Sequence, residues 1–99
     1  MARFDVHERA GGGGYLLDCQ ADLLSDLNTR FVVPLLPAEA APRPAGRLNP
    51  LFDIRGRAHV MVTQFAAAVL LRELGQVRAS LAAHDREIMN ALDLLLGGV

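Results

Sequence analysis

Ninety-nine residues, 52% of them hydrophobic and 21% charged, are enough for one core and exclude a disordered tail. The formal net charge is −1, and its basic half is ten arginines, with no lysine, scattered from Arg3 to Arg86 among acidic residues. A nucleic-acid binder gathers its cations into a patch or stripe, so this balance argues against direct nucleic-acid binding.

The N-terminal stretch MARFDVHERA meets charge too early for the apolar region of a signal peptide. No run of about 18 apolar residues is present to span a membrane, so a soluble cytoplasmic protein is expected. RFDVH alternates, with Phe4 and Val6 on one side and Asp5 and His7 on the other, as in a half-buried strand. Gly11 to Gly14 lose the most backbone entropy on ordering, and they separate this strand from YLLDCQ. A hairpin with a flexible tip follows. The glycines do not read as a phosphate cradle, because no Gly-Lys-Ser/Thr follows and no helix opens from them. Cys19, the single cysteine, excludes an internal disulfide and a Cys-rich zinc site. Its apolar surroundings suit a small buried hydrophobe rather than a reactive thiol, which needs an electropositive neighbourhood.

ADLLSDLNT, residues 21–29, is a polar–apolar connection in which Leu23 and Leu24 are adjacent. RFVVPLLP is β-branched and apolar; Pro34 cannot donate a ladder hydrogen bond, so an edge or a bulge is expected there. PAEAAPRPAGRLNP, residues 37–50, is broken by proline and reads as a long surface loop. LFDIRGRAHVMVTQ resembles two strands around a tight turn at Arg55-Gly56, the second being mainly buried from His59 to Thr63. Val60 and Val62, with Phe31 and Val33, exceed what one helix can cover, which points to a symmetric dimer.

From Ser80 the period changes. Ser80 can cap, and Leu81, Ile88, Leu92 and Leu95 fall at helical spacings with Asp85, Arg86 and Glu87 on the wetter side. The spacing predicts a helix from near Leu81 to Leu96, ended by Gly97 and Gly98. The architecture is therefore α+β, a small antiparallel β structure with one C-terminal helix, in a single domain spanning 1–99.

No catalytic residues, metal site or cofactor are predicted. His7, His59 and His84 lie far apart without ligand spacing, and neither a Gly-x-Ser-x-Gly nor a Cys–His signature is present. The C-terminal LLLGGV stands out instead. Leu94 and Leu96 point away from the face of Ile88, Leu92 and Leu95, and a chain carboxylate at Val99 would oppose the helix dipole by roughly 0.3–1 kcal/mol. Either a sheet or second subunit buries this tip, or it is an exposed apolar probe for a partner.

The segments FDVH, YLLDCQADLL, RFVVPLLP, RLNPLFDIRG, HVMVTQ and HDREIMNALDLLLGGV, in that order and spacing, resemble the CcdB toxins of bacterial toxin–antitoxin pairs. The resemblance covers nearly the whole chain. It implies an SH3-like barrel relative: a five-stranded antiparallel sheet, a small accessory sheet and one C-terminal helix. It also implies a homodimer that is not an enzyme, binds the GyrA subunit of DNA gyrase, traps the cleaved DNA complex and is removed by a CcdA-like antitoxin with a disordered C-terminal segment. The family's gyrase contacts map onto Leu23, Leu24, Asp93, Leu96, Gly97, Gly98 and Val99. The best-known member ends Phe-Trp-Gly-Ile, so Gly97 stands where it has tryptophan and Leu96 where it has phenylalanine. Two alternatives stay open: a non-toxic or retargeted homologue that binds antitoxin and regulates its operon, and a MazF-like ribonuclease, since those toxins share the fold.

Overall fold

The computed structural model describes residues 1–98; Val99 lies outside the described residues. Strands β1 (Asp5–Arg9), β2 (Tyr15–Asp18), β3 (Thr29–Pro37), β4 (Leu51–Ile54), β5 (Arg57–Met61), β6 (Ala67–Leu70) and β7 (Leu74–Ser80) precede one helix, α1 (Asp85–Gly97). All pairings are antiparallel, in the order β4-β5-β3-β2-β1-β7 with β6 beside β3. The α+β class and the barrel kinship are as expected. The strands, however, join into one curled seven-stranded sheet rather than five plus a separate accessory sheet.

Alternation builds one face of that sheet. Val6, Leu17 and Val33 lie in register across β1, β2 and β3, and Leu35 pairs with Met61 on β5. Ile88, Ala91 and Leu92 of α1 cover this face, and all of these side chains are buried. Alternation alone puts the opposite face in water, and it is not there. His7, Leu16, Asp18, Arg30 and Val32 are buried as well. The reason is the curl: β6 pairs with β3, β7 with β1, and a 3-10 turn at Leu71–Glu73 joins the two, so the sheet closes around that side. His7 is thereby taken out of solvent, its Nδ1 lying 3.1 Å from the Gly75 carbonyl oxygen.

Both glycine-bearing turns form as expected. Arg55 and Gly56 both take positive φ (55° and 86°), the two-residue hairpin conformation whose twist matches the flanking strands. Gly11 to Gly14 link β1 to β2, and all four have positive φ. Residues 38–45 form the expected surface loop, followed by a 3-10 turn at Gly46–Leu48.

Several expectations change. Pro34 marks neither an edge nor a bulge. Its carbonyl accepts the Val62 N–H at 3.0 Å, so its nitrogen faces the same side, where β6 (paired to residues 29–32) gives way to β5 (paired to residues 35–37). A residue without an N–H fits that gap. The segment 65–79, to which the sequence pattern assigned nothing, holds β6 and β7, where pairing overrides a composition rich in Ala and Leu. Helix α1 begins at Asp85, not near Leu81, because a 3-10 turn at Ala82–His84 intervenes and Ser80 Oγ accepts the Ala82 N–H. Leu95 is 38% exposed and Ala91 is fully buried, so Ala91 rather than Leu95 completes the core face of the helix. Val33, Val60 and Val62 are buried within the chain, which removes them as grounds for a dimer.

The four glycines of the tip are not equivalent. A Cβ on Gly12 would meet nothing within 4 Å, whereas one on Gly14, at φ +135°, would strike the Leu35 carbonyl oxygen of β3. Gly14→Ala should therefore cost more than about 2 kcal/mol and Gly12→Ala about 1 kcal/mol, by urea unfolding. Equal costs would show that the close approach to β3 carries no energy.

Candidate partner-binding site

The chain leaves β2 at Asp18, passes the buried Cys19 and Gln20, and makes a 3-10 turn over Asp22–Leu24 that buries none of its residues. Two bonds close it: Leu24 N–H to the Ala21 carbonyl at 2.9 Å and Ser25 N–H to the Asp22 carbonyl at 3.1 Å. Leu23 is 92% exposed and Leu24 is 48% exposed. The second group of predicted residues sits on the last turns of α1. Asp93, Leu96, Gly97 and Gly98 are exposed, Leu96 at 77%. Gly97 closes the helix and Gly98 follows at φ +73°, its N–H bonded to the Leu94 carbonyl at 3.0 Å. This is the left-handed cap that glycine adopts without cost. Val99, the last predicted contact, lies outside the described residues.

Arg3 connects the two groups. Its backbone N–H donates to the Asp22 carboxylate at 2.9 Å, and its guanidinium reaches the Cys19 carbonyl at 3.2 Å and Met89 Sδ at 3.2 Å. Met89 lies one helical turn before Asp93 on the same side of α1. The guanidinium also stacks over the Phe4 ring, 4.8 Å from its centroid. Phe4 itself is held at φ +71°, a conformation costing a non-glycine residue about 1–2 kcal/mol. Both its backbone groups are used, the N–H on the Asp18 carbonyl and the carbonyl on the Leu81 N–H. The strained residue thus ties the end of β2 to the chain that leads into α1.

Beneath the turn lies a buried polar cluster. Asp18 Oδ1 accepts the Gln20 N–H at 3.0 Å, while Asp18 Oδ2 lies 3.7 Å from Arg30 Nε, too far for a hydrogen bond. His7 Nε2, Asp18 Oδ2 and Arg30 Nε have no hydrogen-bond partner. Burial pushes the Asp18 carboxyl above its ordinary range, against the opposing pull of the Gln20 N–H, Arg30 and His7; Asp5 adds slightly to the rise. Burial also pushes the Cys19 thiol up to about 12, so the expected inert cysteine is what the fold contains.

The histidines do not gather into one centre by their contacts. His7 meets the Gly75 carbonyl, while His59 is buried against the Tyr15 ring, with Nδ1 2.9 Å from the Arg57 carbonyl oxygen. His84 is exposed beside Glu87 at 3.2 Å. Among the described residues, no three His, Cys, Asp or Glu side chains are grouped to hold a metal ion, and no helix is long and apolar enough to cross a membrane. A cleft of about 530 Å³ opens between the glycine tip and the β4–β5 turn, lined by Arg9, Arg55 and Arg57. None of the described predicted contact residues lines it. Leu23, Leu24 and Leu96 are instead exposed apolar side chains, which suit another protein rather than a small ligand.

Arg3, Gln20 and Asp22 were not legible as site residues. Their roles rest on bonds to Met89, Leu24 and the Arg3 backbone that no spacing rule reports. The resemblance of YLLDCQADLL marked the segment but not its internal ties.

A titration tests the buried cluster. The native Asp18 keeps its proton to a higher pH than the unfolded chain does, so folding takes up a proton. Its contribution to stability is full below the ordinary carboxyl pKa of about 3.9 and is lost as pH rises through the native value. The Asp18→Asn variant would not titrate at this position but would keep an oxygen towards Arg30. The unfolding free energy of wild type minus that of Asp18→Asn should therefore fall as pH rises above about 4. A difference that stays constant or rises would contradict the assignment.

A family model described as CcdB protein matches residues 3–98, a span that takes in the whole sheet, the leucine turn and the helix through Gly98.

Proposed function

The chain belongs to the CcdB family of toxins from toxin–antitoxin pairs, and from that premise we propose that it binds the GyrA subunit of DNA gyrase and inhibits it. The observation that carries this reading is the placing of exposed Leu23, Leu24 and Leu96 on two elements joined through Arg3. Soluble folds rarely hold several leucines in water on a built scaffold without a partner for them. Asp93 adds an exposed polar acceptor on the same helix end as Leu96, and exposed Gly97 and Gly98 follow it. The protein acts as a binding surface and catalyses nothing itself. It works in the cytoplasm as a homodimer, whose two-fold axis presents two such surfaces to a two-fold-symmetric enzyme, and a CcdA-like antitoxin neutralises it.

Gly97 favours a second reading. A buried aromatic at an interface is a frequent hot spot, worth about 2–4 kcal/mol on truncation, and glycine brings almost no area to the place where the family's best-known toxin has tryptophan. The chain would then be a retargeted homologue whose main partner is its antitoxin, with operon regulation as its role. Calorimetry against the GyrA subunit separates the two. Gly97→Trp should tighten binding by about 1–3 kcal/mol, because an aromatic ring fills a pocket that glycine leaves wet. Deletion of residues 97–99 should abolish binding while the melting temperature moves little, since Gly97 and Gly98 are exposed and residues at a chain end add little to the core. Equal binding by wild type and the deletion variant would refute the gyrase surface assigned here.

Assembly is tested separately. Light scattering at micromolar concentration should give about twice the 10.7 kDa chain mass. A strict monomer would remove the paired surface.

A further inference from the structure

The Leu23–Leu24 turn lacks what usually holds a loop in place. It is three residues long, buries none of them, and a single 3-10 turn is not stable alone. Yet its leucines could serve a partner only from a fixed backbone. Ordering a residue at the moment of binding cuts affinity by about five- to thirtyfold. Something outside the turn must fix it.

Gln20 has the geometry to do so. Its side chain is 9% exposed, and both ends of the amide are engaged: Nε2 donates to the Leu24 carbonyl at 3.0 Å, and Oε1 accepts the Phe31 N–H of β3 at 3.0 Å. Both partners are backbone groups of fixed polarity, so the amide can be placed only one way round. Its own N–H is fixed on the Asp18 carboxylate at 3.0 Å. The far end of the turn is therefore bonded, through one side chain, to the centre of the sheet. The near end is held by Asp22 on the Arg3 N–H. Leu23, the most exposed large hydrophobic side chain among the described residues, lies between these two ties.

We propose that Gln20 is a positioning residue for partner binding, holding the Leu23–Leu24 backbone in the conformation that the partner meets. The identity of the partner rests on the gyrase reading above; the positioning rests on the hydrogen bonds alone. Gln20→Glu is the informative variant. It keeps an acceptor for the Phe31 N–H but sets a carboxylate oxygen against the Leu24 carbonyl, where a donor is required.

The test compares wild type, Gln20→Glu and Ile54→Val, a core change in β4 that lowers stability without touching the turn. Affinity for the GyrA subunit and amide hydrogen exchange of the free proteins are measured for all three. Gln20→Glu should bind about tenfold or more weakly, with faster exchange at the Leu24 and Ser25 amides, which close the turn, and at the Leu27 amide, which donates to the Leu24 carbonyl. Ile54→Val should bind within about twofold of wild type with no such local change. Wild-type affinity in Gln20→Glu, or an equal loss in Ile54→Val at matched melting temperature, would overturn the proposal. If wild type does not bind GyrA at all, the gyrase reading falls and exchange decides alone. Acceleration confined to the turn amides in Gln20→Glu supports positioning, and unchanged exchange refutes it.

Discussion

The double pairing of β3 is the constraint on which the rest of the molecule depends. One long strand bonds to β2 along one side and, along the other, to β6 before Pro34 and to β5 after it. A proline at the change of partner costs no ladder bond, because no strand stands opposite its nitrogen. The change of partner lets β6 leave the plane that β5 keeps, and β7 meets β1 at the other end of the curl. Once the sheet is curled, side chains on both faces of its central strands are buried. One holds the apolar core under α1, and the other holds His7, Asp18 and Arg30, whose polar atoms are only partly satisfied. A buried ion pair of this kind adds little net stability, although removing one partner leaves an uncompensated charge.

The same strand also supports the proposed partner surface. Phe31 of β3 accepts the Cys19 N–H on its carbonyl and donates its own N–H to Gln20. Order in the sheet therefore passes directly into the turn that carries Leu23 and Leu24. On the helical side, the link is Arg3, fixed by Cys19, Asp22 and Met89 and stacked on a strained Phe4. Strain held by surrounding bonds is common where a chain must present a surface in one geometry. The arginine-lined cleft at the opposite glycine tip takes no part in this arrangement.

What the sequence made legible follows from the range of the interactions involved. The Arg55-Gly56 hairpin, the glycine tip and the helix-ending glycines are set by neighbours within a few residues, and each was read from local chemistry. Period-2 alternation placed Val6 correctly, but it took Phe4, which lies in a turn before β1, for a strand residue and put His7 in water, since no local pattern shows that β6 and β7 will close over the other face. Those two strands went unassigned because FAAAVLLRELGQVRA has no clean alternation; they exist through pairing with β3 and β1. For the site, the leucine pair and the helix end were visible only through family resemblance. Arg3 was hidden because its bond to Met89 spans 86 positions, and Gln20 because its side chain bonds only backbone groups, which no residue pattern marks.

The proposed binding surface joins the leucine turn to the end of α1. Hydrogen exchange on the toxin bound to the GyrA subunit measures this most directly, since every amide reports separately. The account predicts protection at two stretches, 22–27 and 89–98, together, with the glycine tip at 11–14 exchanging as in the free protein. Protection at the tip with none at the turn and helix end would contradict it.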